Sequence, residues 1–366
     1  MGQPAPAGTG QLDAVSCGNA THCWAVGSPA PVNASTAPTT TPVAPSPVID
    51  ATTDGGKTWV AESLALTPTP ALAGISCPDA NLCMAVGLNG AGSAGIVLVT
   101  RDGGATWTAA SVPTGAVVLT SVDCAGTADC TAIASDGTTF WSAHSTDFGG
   151  TWTRDGSLPA GLEDAGALSC AVDGTCLVTG FTATTAGHGQ GAVAVSIDGG
   201  MTWSAATVPA GTGLLQSATC TTVTTCLAVG TTSSTVSAVV PARGAILSSD
   251  DGGHTWSATG SPAPVDDMYG IACPSPLICA VVGTDWTGTP AVGEGAVGRS
   301  LDGGLTFSAS RTEYTPLALT AVACPTTAGC IAVGGNTVAH LTLPRPPRAR
   351  TATRGTSTTL PRRVGR

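Results

Sequence analysis

Apolar positions along this chain come in short bursts separated by Gly, Pro, Thr and Asp. CWAVG (Cys23 to Gly27), CMAVG (Cys83 to Gly87), CLAVG (Cys226 to Gly230), CAVVG (Cys279 to Gly283) and CIAVG (Cys330 to Gly334) form one set. GIVLVT (Gly95 to Thr100), GAVAVS (Gly191 to Ser196) and GAILSS (Gly244 to Ser249) form another. Bursts this short, bounded by turn residues, predict strands and leave little room for long helices. Their order recurs. A strand runs into a cysteine (GISC ending at Cys77, YGIAC ending at Cys273), and a five-residue turn leads to a second cysteine. A second strand, a variable loop, a third strand, an Asp-bearing octet and a fourth strand follow.

The octet is the sharpest repeat: TTDGGKTW (52–59), TRDGGATW (100–107), STDFGGTW (145–152), SIDGGMTW (196–203), SDDGGHTW (249–256) and SLDGGLTF (300–307). Each has Ser or Thr first, Asp third, Gly fifth, Thr seventh and an aromatic eighth. Asp followed by Gly is hairpin chemistry: the carboxylate accepts backbone N–H groups just ahead, and Gly takes positive φ. Asp54, Asp102, Asp147, Asp198, Asp251 and Asp302 are therefore read as structural, not catalytic.

Four antiparallel strands in roughly 50 residues, repeated around an axis, specify a β-propeller blade. The predicted fold is all-β, a seven-bladed propeller over residues 1–343. A β-solenoid would need shorter and more uniform repeats. The last blade is expected to be incomplete, because its third strand (Thr337 to Leu343) runs into PRPPRARTATRG with no octet. PAGTGQLDAVSC (Pro6 to Cys17) aligns with PAGTGLLQSATC (Pro209 to Cys220), so the sequence begins where a fourth strand would have ended. An outer strand and an export signal are expected upstream of it. Residues 28–47, rich in Pro and Thr, read as a loop insertion in blade 1, and 344–366 as a basic disordered tail.

Fourteen cysteines fall as seven C-x5-C pairs: Cys17 with Cys23, Cys77 with Cys83, Cys124 with Cys130, Cys170 with Cys176, Cys220 with Cys226, Cys273 with Cys279 and Cys324 with Cys330. Zinc needs four ligands per site, and only five histidines accompany these widely spaced pairs, so no metal site and no cofactor is expected. One disulfide within each pair fits better and implies an oxidising compartment, secreted or cell-envelope. No run of 18 apolar residues marks a membrane span. Composition poor in Lys and rich in Ala, Thr and Gly suggests a bacterium with GC-rich DNA.

Charge removes another class of partner. Seven of the thirteen basic residues lie in the tail; residues 1–344 hold six against 23 acids, a net −17. A body this acidic repels phosphate backbones, so nucleic acid is not an expected partner. A monomer that binds an unknown protein or glycan is expected.

The octets resemble the Asp-box, or BNR repeat, of sialidases, sortilin-type receptors, xyloglucan-cleaving glycosidases and the photosystem II stability/assembly factor family. The resemblance covers residues 12 to about 343. It implies that each octet joins the third and fourth strands of a blade. The cysteine-stapled hairpins are not part of that general pattern. The resemblance suggests two functions: a non-catalytic scaffold that presents one face to a protein or glycan, or a glycoside hydrolase, sialidase-like or xyloglucanase-like. Sialidase chemistry needs three clustered arginines, and none lies on a predicted innermost strand. Arg101, Arg154 and Arg299 sit in or beside octets and are expected near the octet face.

Strand order puts the cysteine turns and the octets on one face, here the bottom. The loops from second to third strand and from blade to blade form the top. Candidate ligand residues there are Glu163 and Asp164, His188 and Gln190, Arg243, Asp266, Asp267 and Tyr269, Asp285 and Trp286, Glu294, and Glu313 with Tyr314. Tyr269 and Trp286 beside carboxylates could stack on a sugar, and paired carboxylates are what glycoside cleavage requires.

Overall fold

The computed structural model describes residues 2–29, 48–62, 64, 66–171, 173–183, 189–232, 243–260, 265–287, 292–311 and 318–343. Most of the 28–47 insertion, the 344–366 tail, His188, Glu313 and Tyr314 lie outside them. Seven four-stranded antiparallel sheets make up the described chain. Successive innermost strands adjoin, and that of blade 7 (Ala321–Thr326) meets that of blade 1 (Gln11–Cys17), so the sheets close into a ring. Buried residues fall into seven clusters, one at each interface between neighbouring blades. Trp24 and Leu98 lie between blades 1 and 2, and Met84, Trp141 and Phe148 between blades 2 and 3. The second strands are buried along most of their length because a blade covers each side, which is why they read as continuous apolar bursts.

The seventh blade corrects an expectation. It is complete: Gly2–Pro4 pairs antiparallel with Thr337–Thr342, Gln3 opposite Val338, and forms the outer strand. The Ala5 N–H donates to the Asn336 carbonyl and the Leu12 N–H to that of Gly335, at 2.8 and 2.6 Å. GQP has no apolar alternation, and proline is tolerated on an edge strand, so nothing in those residues announced a strand.

All seven C-x5-C pairs form disulfides, each closing the first hairpin of its blade. Cys17 bonds to Cys23, Cys77 to Cys83, Cys124 to Cys130 and Cys170 to Cys176. Cys220 bonds to Cys226, Cys273 to Cys279 and Cys324 to Cys330. The second cysteine opens a strand buried between blades, so Cys130 and Cys176 are almost wholly enclosed. The cysteine turns and the octets share a face, held by an N–H of each octet donating to a carbonyl of its own blade's cysteine turn. Gly55 to Thr21, Phe148 to Ala128 and Gly252 to Thr224 are examples.

Within each octet the first hydroxyl, the Asp and the Thr close a small network. In blade 1 the Thr52 hydroxyl donates to Asp54 at 2.9 Å and accepts the Gly56 N–H. Asp54 also accepts the N–H and hydroxyl of Thr58 at 2.9 and 2.7 Å. The other five octets repeat this bonding. The Thr58 N–H and hydroxyl hold the Asp54 pKa down at about 2.

The fifth octet position faces the preceding blade. A Cβ added at Gly56, Gly104, Gly149, Gly200, Gly253 or Gly304 would fall 2.4–3.0 Å from one kind of neighbour, the residue after the second cysteine of the blade before. Those neighbours are Ile331, Trp24, Met84, Thr131, Leu177 and Leu227. Blade 7 has no octet, and the corresponding residue of blade 6 is the small Ala280. At the fourth position blade 3 carries Phe148 at φ +53° where the other five octets have Gly.

Candidate functional site

Two places on the top half of the ring combine geometry with chemistry. The first is the upper end of blade 6. The first strand there (Asp267–Ala272) and the second (Cys279–Thr287) bring Asp266, Asp267, Asp285 and Trp286 together, with Glu294 opposite Asp285 on the third strand. The Asp266 carboxylate accepts the Trp286 backbone N–H at 2.9 Å, and Asp267 accepts the indole N–H at 2.6 Å. The indole lies over Gly293, where an added Cβ would come within 3.1 Å of its six-membered ring. Trp286 is 41% exposed. Two carboxylates thus fix an aromatic plate over a glycine, leaving part of the ring open. Burial raises the Asp267 carboxyl above the usual range, the indole N–H pulls it back, and the Asp266 charge adds to the rise. Asp285 is buried beside them.

The second place is the channel on the ring axis, a cavity of about 410 Å³ walled by all seven innermost strands. In six blades the first strand carries a β-bulge at one register position, and bulges re-aim side chains. The extra residues are Asp13, Ala73, Thr120, Gly166, Gln216 and Tyr269. Thr320 takes this place in blade 7 and also lines the channel. Each stands four residues before the first cysteine of its blade. Two residues before this position a first-strand carbonyl approaches the second strand, where an added Cβ at Gly27, Gly87, Gly180, Gly230, Gly283 or Gly334 would lie 1.8–2.1 Å from it. That glycine accompanies the bulge in five blades; blade 3 has the bulge with Ala134 in the glycine's place, and blade 7 has Gly334 with no register shift beside it.

The sequence candidates therefore divide. Tyr269 belongs to the channel, while Asp266, Asp267, Asp285 and Trp286 belong to the outer platform of the same blade. Glu163 and Asp164 open the first strand of blade 4, two blades away, and join neither group. The Gln190 side chain donates to the Pro209 carbonyl, and Arg243 is an exposed loop residue. Arg154 corrects its expected placement. Its guanidinium lies over the Trp141 ring, 4.1 Å from the centroid, and 3.7 Å from Asp136 in the loop between second and third strands, so it reaches toward the top.

Sequence reading passed over Asp13, Gln216 and Asp123. Stacking the repeats on their cysteines exposes all three, the first two at the bulge column and Asp123 just before Cys124. Ser16, Ser76 and Asp123 occupy that last column in blades 1 to 3, each accepting the N–H of the next blade's first cysteine, at 3.0, 3.0 and 2.8 Å. Asp123 also lines a bottom cavity of about 220 Å³ between blades 3 and 4, with Asp129 and His144. Cys130 and Cys176 line the same cavity, but both are held in disulfides and present no thiol to it. His144 Nδ1 is 2.7 Å from Asp155. Among the described residues no group of three His, Cys, Asp or Glu side chains is placed to hold a metal, and no helix is long and apolar enough to cross a membrane.

No protein-family model matches the sequence, and no curated protein matches it. Solved structures do. YCF48 bound to D1 peptide is 16% identical, with a TM-score of 0.64, over 94% of this chain and 97% of that one. YCF48 from Cyanidioschyzon merolae is 13% identical, TM-score 0.61, over 93% and 98%. The GH74 xyloglucanase from Xanthomonas campestris is 14% identical, TM-score 0.61, over 92% of this chain but 52% of that longer one. At these identities the likeness rests in the fold, and the chain is a seven-bladed, disulfide-stapled propeller of the shape found in YCF48 and the GH74 enzymes.

Proposed function

We propose that this chain is an exported, non-catalytic scaffold that binds a protein partner or a glycan through its top face. The observation that carries the reading is the Trp286 plate. Asp266 and Asp267 spend lone pairs on its two N–H groups, so the cluster's chemistry goes into presenting an aromatic surface. Partly exposed, rigidly held aromatics are the anchors of protein interfaces, and a flat ring face suits a pyranose equally. The fold neighbours span both ligand classes, a peptide complex and a xyloglucanase.

Glycoside hydrolysis by top-face carboxylates is the second reading. It needs two carboxyl groups flanking one bond, about 5–10 Å apart. Among the described residues the channel wall offers a single carboxylate, Asp13, and on the outer platform Asp266 and Asp267 are already engaged by the Trp286 N–H groups, which favours binding.

Paired peptide and glycan arrays, run with the parent chain and Trp286→Ala, test the proposal, with a hydrolysis assay on every hit. The expected result is a hit that weakens at least tenfold in Trp286→Ala and is not turned over. Turnover of a bound glycan that disappears in Asp267→Asn would instead establish the hydrolase. Non-reducing mass spectrometry of chain from its native source tests export, since free thiols at most of the fourteen cysteines contradict it.

A further inference from the structure

We propose that the upper channel is a binding site for an alkylammonium or alkylguanidinium group, such as a lysine or arginine side chain, with Asp13 as its counter-charge. The ring of bulge residues is lopsided. Blades 2 to 4 supply Ala73, Thr120 and Gly166, whereas blades 5, 6 and 1 supply Gln216, Tyr269 and Asp13. Blade 7 supplies Thr320, whose hydroxyl is engaged with the Leu12 and Val333 carbonyls.

Over the small side of the ring lies a second cavity of about 330 Å³. Asp13, Ala73 and Gly166 line both it and the channel, so the two adjoin. Leu72, Leu88 and Val118 wall this vestibule. An entering group crosses aliphatic surface first and meets the polar arc at its tip.

Among the described residues, Asp13 is the only charged side chain lining either space, and no Lys, Arg or His lines them. Its two oxygens accept from the Gln11 side chain at 2.7 Å and the Ser28 hydroxyl at 3.2 Å. A carboxylate has about four acceptor positions, so acceptor capacity remains. A half-buried carboxylate among neutral walls attracts a cation more strongly than one in open water. The Tyr269 ring, in the same channel, adds a π face for a cation, and the Gln216 amide adds a further acceptor. An aliphatic stem against Leu and Val with a cationic tip on a carboxylate is how lysine and arginine side chains bury. This site is separate from the Trp286 plate and does not depend on it.

The sequence holds two tyrosines, Tyr269 and Tyr314. Full-length chain labelled with 3-fluorotyrosine therefore gives two ¹⁹F resonances, assigned with Tyr314→Phe. The probe is agmatine, with neutral N-butylurea as its near-isostere. The expected result is a saturable shift of the Tyr269 resonance with agmatine and at least tenfold weaker binding of butylurea. Asp13→Asn, which keeps an acceptor for Gln11 and turns an amide N–H toward the Ser28 hydroxyl, weakens agmatine at least tenfold. So does Gly166→Leu, which fills the vestibule and leaves Asp13 in place. Trp286→Ala changes the affinity less than twofold. The proposal is overturned by the absence of a saturable shift in the parent chain, by equal binding of butylurea, by an unchanged Asp13→Asn, or by a loss confined to Trp286→Ala.

Discussion

At the scale of single residues, the fourth and fifth positions of each octet look alike in sequence but differ physically. Gly199 and Gly200 both have positive φ, +75° and +92°. A Cβ on Gly199 meets nothing within 4 Å, whereas one on Gly200 would fall 2.7 Å from Thr131 of the preceding blade. Gly199→Ala should therefore cost only the left-handed penalty, about 1–2 kcal/mol. Gly200→Ala should cost a further 1–3 kcal/mol or so through overpacking. Urea unfolding of the two variants checks this, and equal losses would mean that the octet does not seat against its neighbour. Glu62 gives a pH prediction. It accepts the indole N–H groups of Trp24 in its own blade and Trp107 in the next. Burial outweighs these bonds and raises its pKa from 4.5 to about 7. Asp50, buried beneath Thr9, rises in the same way to about 6. A carboxyl whose pKa rises on folding binds more protons folded than unfolded, so stability falls as pH climbs from about 4.5 to 7. Asp54, held at about 2, acts oppositely: its contribution is present above the ordinary carboxylate pKa and lost on acidification toward 2. Glu62→Gln should lose one indole hydrogen bond at pH 5 and flatten the decline from pH 5 to 8 by about 2 kcal/mol, after allowance for partial exposure. Thermal unfolding across that range decides it, and an unchanged slope would refute the assignment.

At the scale of elements, what the sequence made legible was whatever repeats locally. Octets, cysteine pairs and apolar bursts are contiguous strings whose turn chemistry does not depend on neighbours, so the hairpins are legible in the sequence alone. The bulge was not legible in that way. It arises where a first strand meets a second, and its sequence trace is a column holding Asp, Ala, Thr, Gly, Gln, Tyr and Thr, which shows no common chemistry. The trace that does recur is its companion in five blades, the glycine closing C-x-A-V-G, read in sequence as ordinary strand-end punctuation. Candidate site residues suffered similarly. Asp266 and Asp267 read as ligand groups in the sequence, and their hydrogen bonds to Trp286, which no local pattern announces, add a second role as supports for an aromatic plate. The disulfides, by contrast, are local in every sense, each joining cysteines six positions apart. On the chain-entropy model such a loop contributes about 2 kcal/mol. Replacing Cys220 and Cys226 together by Ala should therefore lower stability by about that amount and leave the propeller intact. Equilibrium unfolding with circular dichroism measures the loss, and a collapse of the whole ring from this one pair would show that the bridges specify the fold and do not merely reinforce it.

At the scale of the whole molecule, closure is the property that no single blade contains. Six blades are built from consecutive strands, and the seventh joins residues from opposite ends of the chain, Gly2 with Ala339. Octets continue the same logic around the ring, since each leans on the blade before it, and the octet of blade 1 leans on blade 7 through Gly56 against Ile331. Gln3 reinforces that seam, its side-chain amide donating to the Gly56 carbonyl at 3.1 Å. The outer strand of blade 7 is thus both the last rung of one sheet and a brace for the first octet. Removing residues 1–5 would expose the Thr337–Thr342 edge, delete the Ala5 to Asn336 hydrogen bond and release Gly56 together. Gln3→Ala would remove only the brace, the side-chain amide's bonds to the Gly56 and Lys57 carbonyls at 3.1 and 3.3 Å, worth about 1 kcal/mol at a half-exposed site. The truncation should therefore cost several times as much as Gln3→Ala. Hydrogen exchange should locate the loss, with protection falling first at Thr337–Ala339 and at the 52–59 octet while blades 3 to 5 stay protected. If the truncated chain instead lost protection evenly around the ring, closure would be a condition for folding any blade. If it lost none, the seam would be held by the inner strands alone, and the short outer strand would be an ornament of the sheet and not its latch.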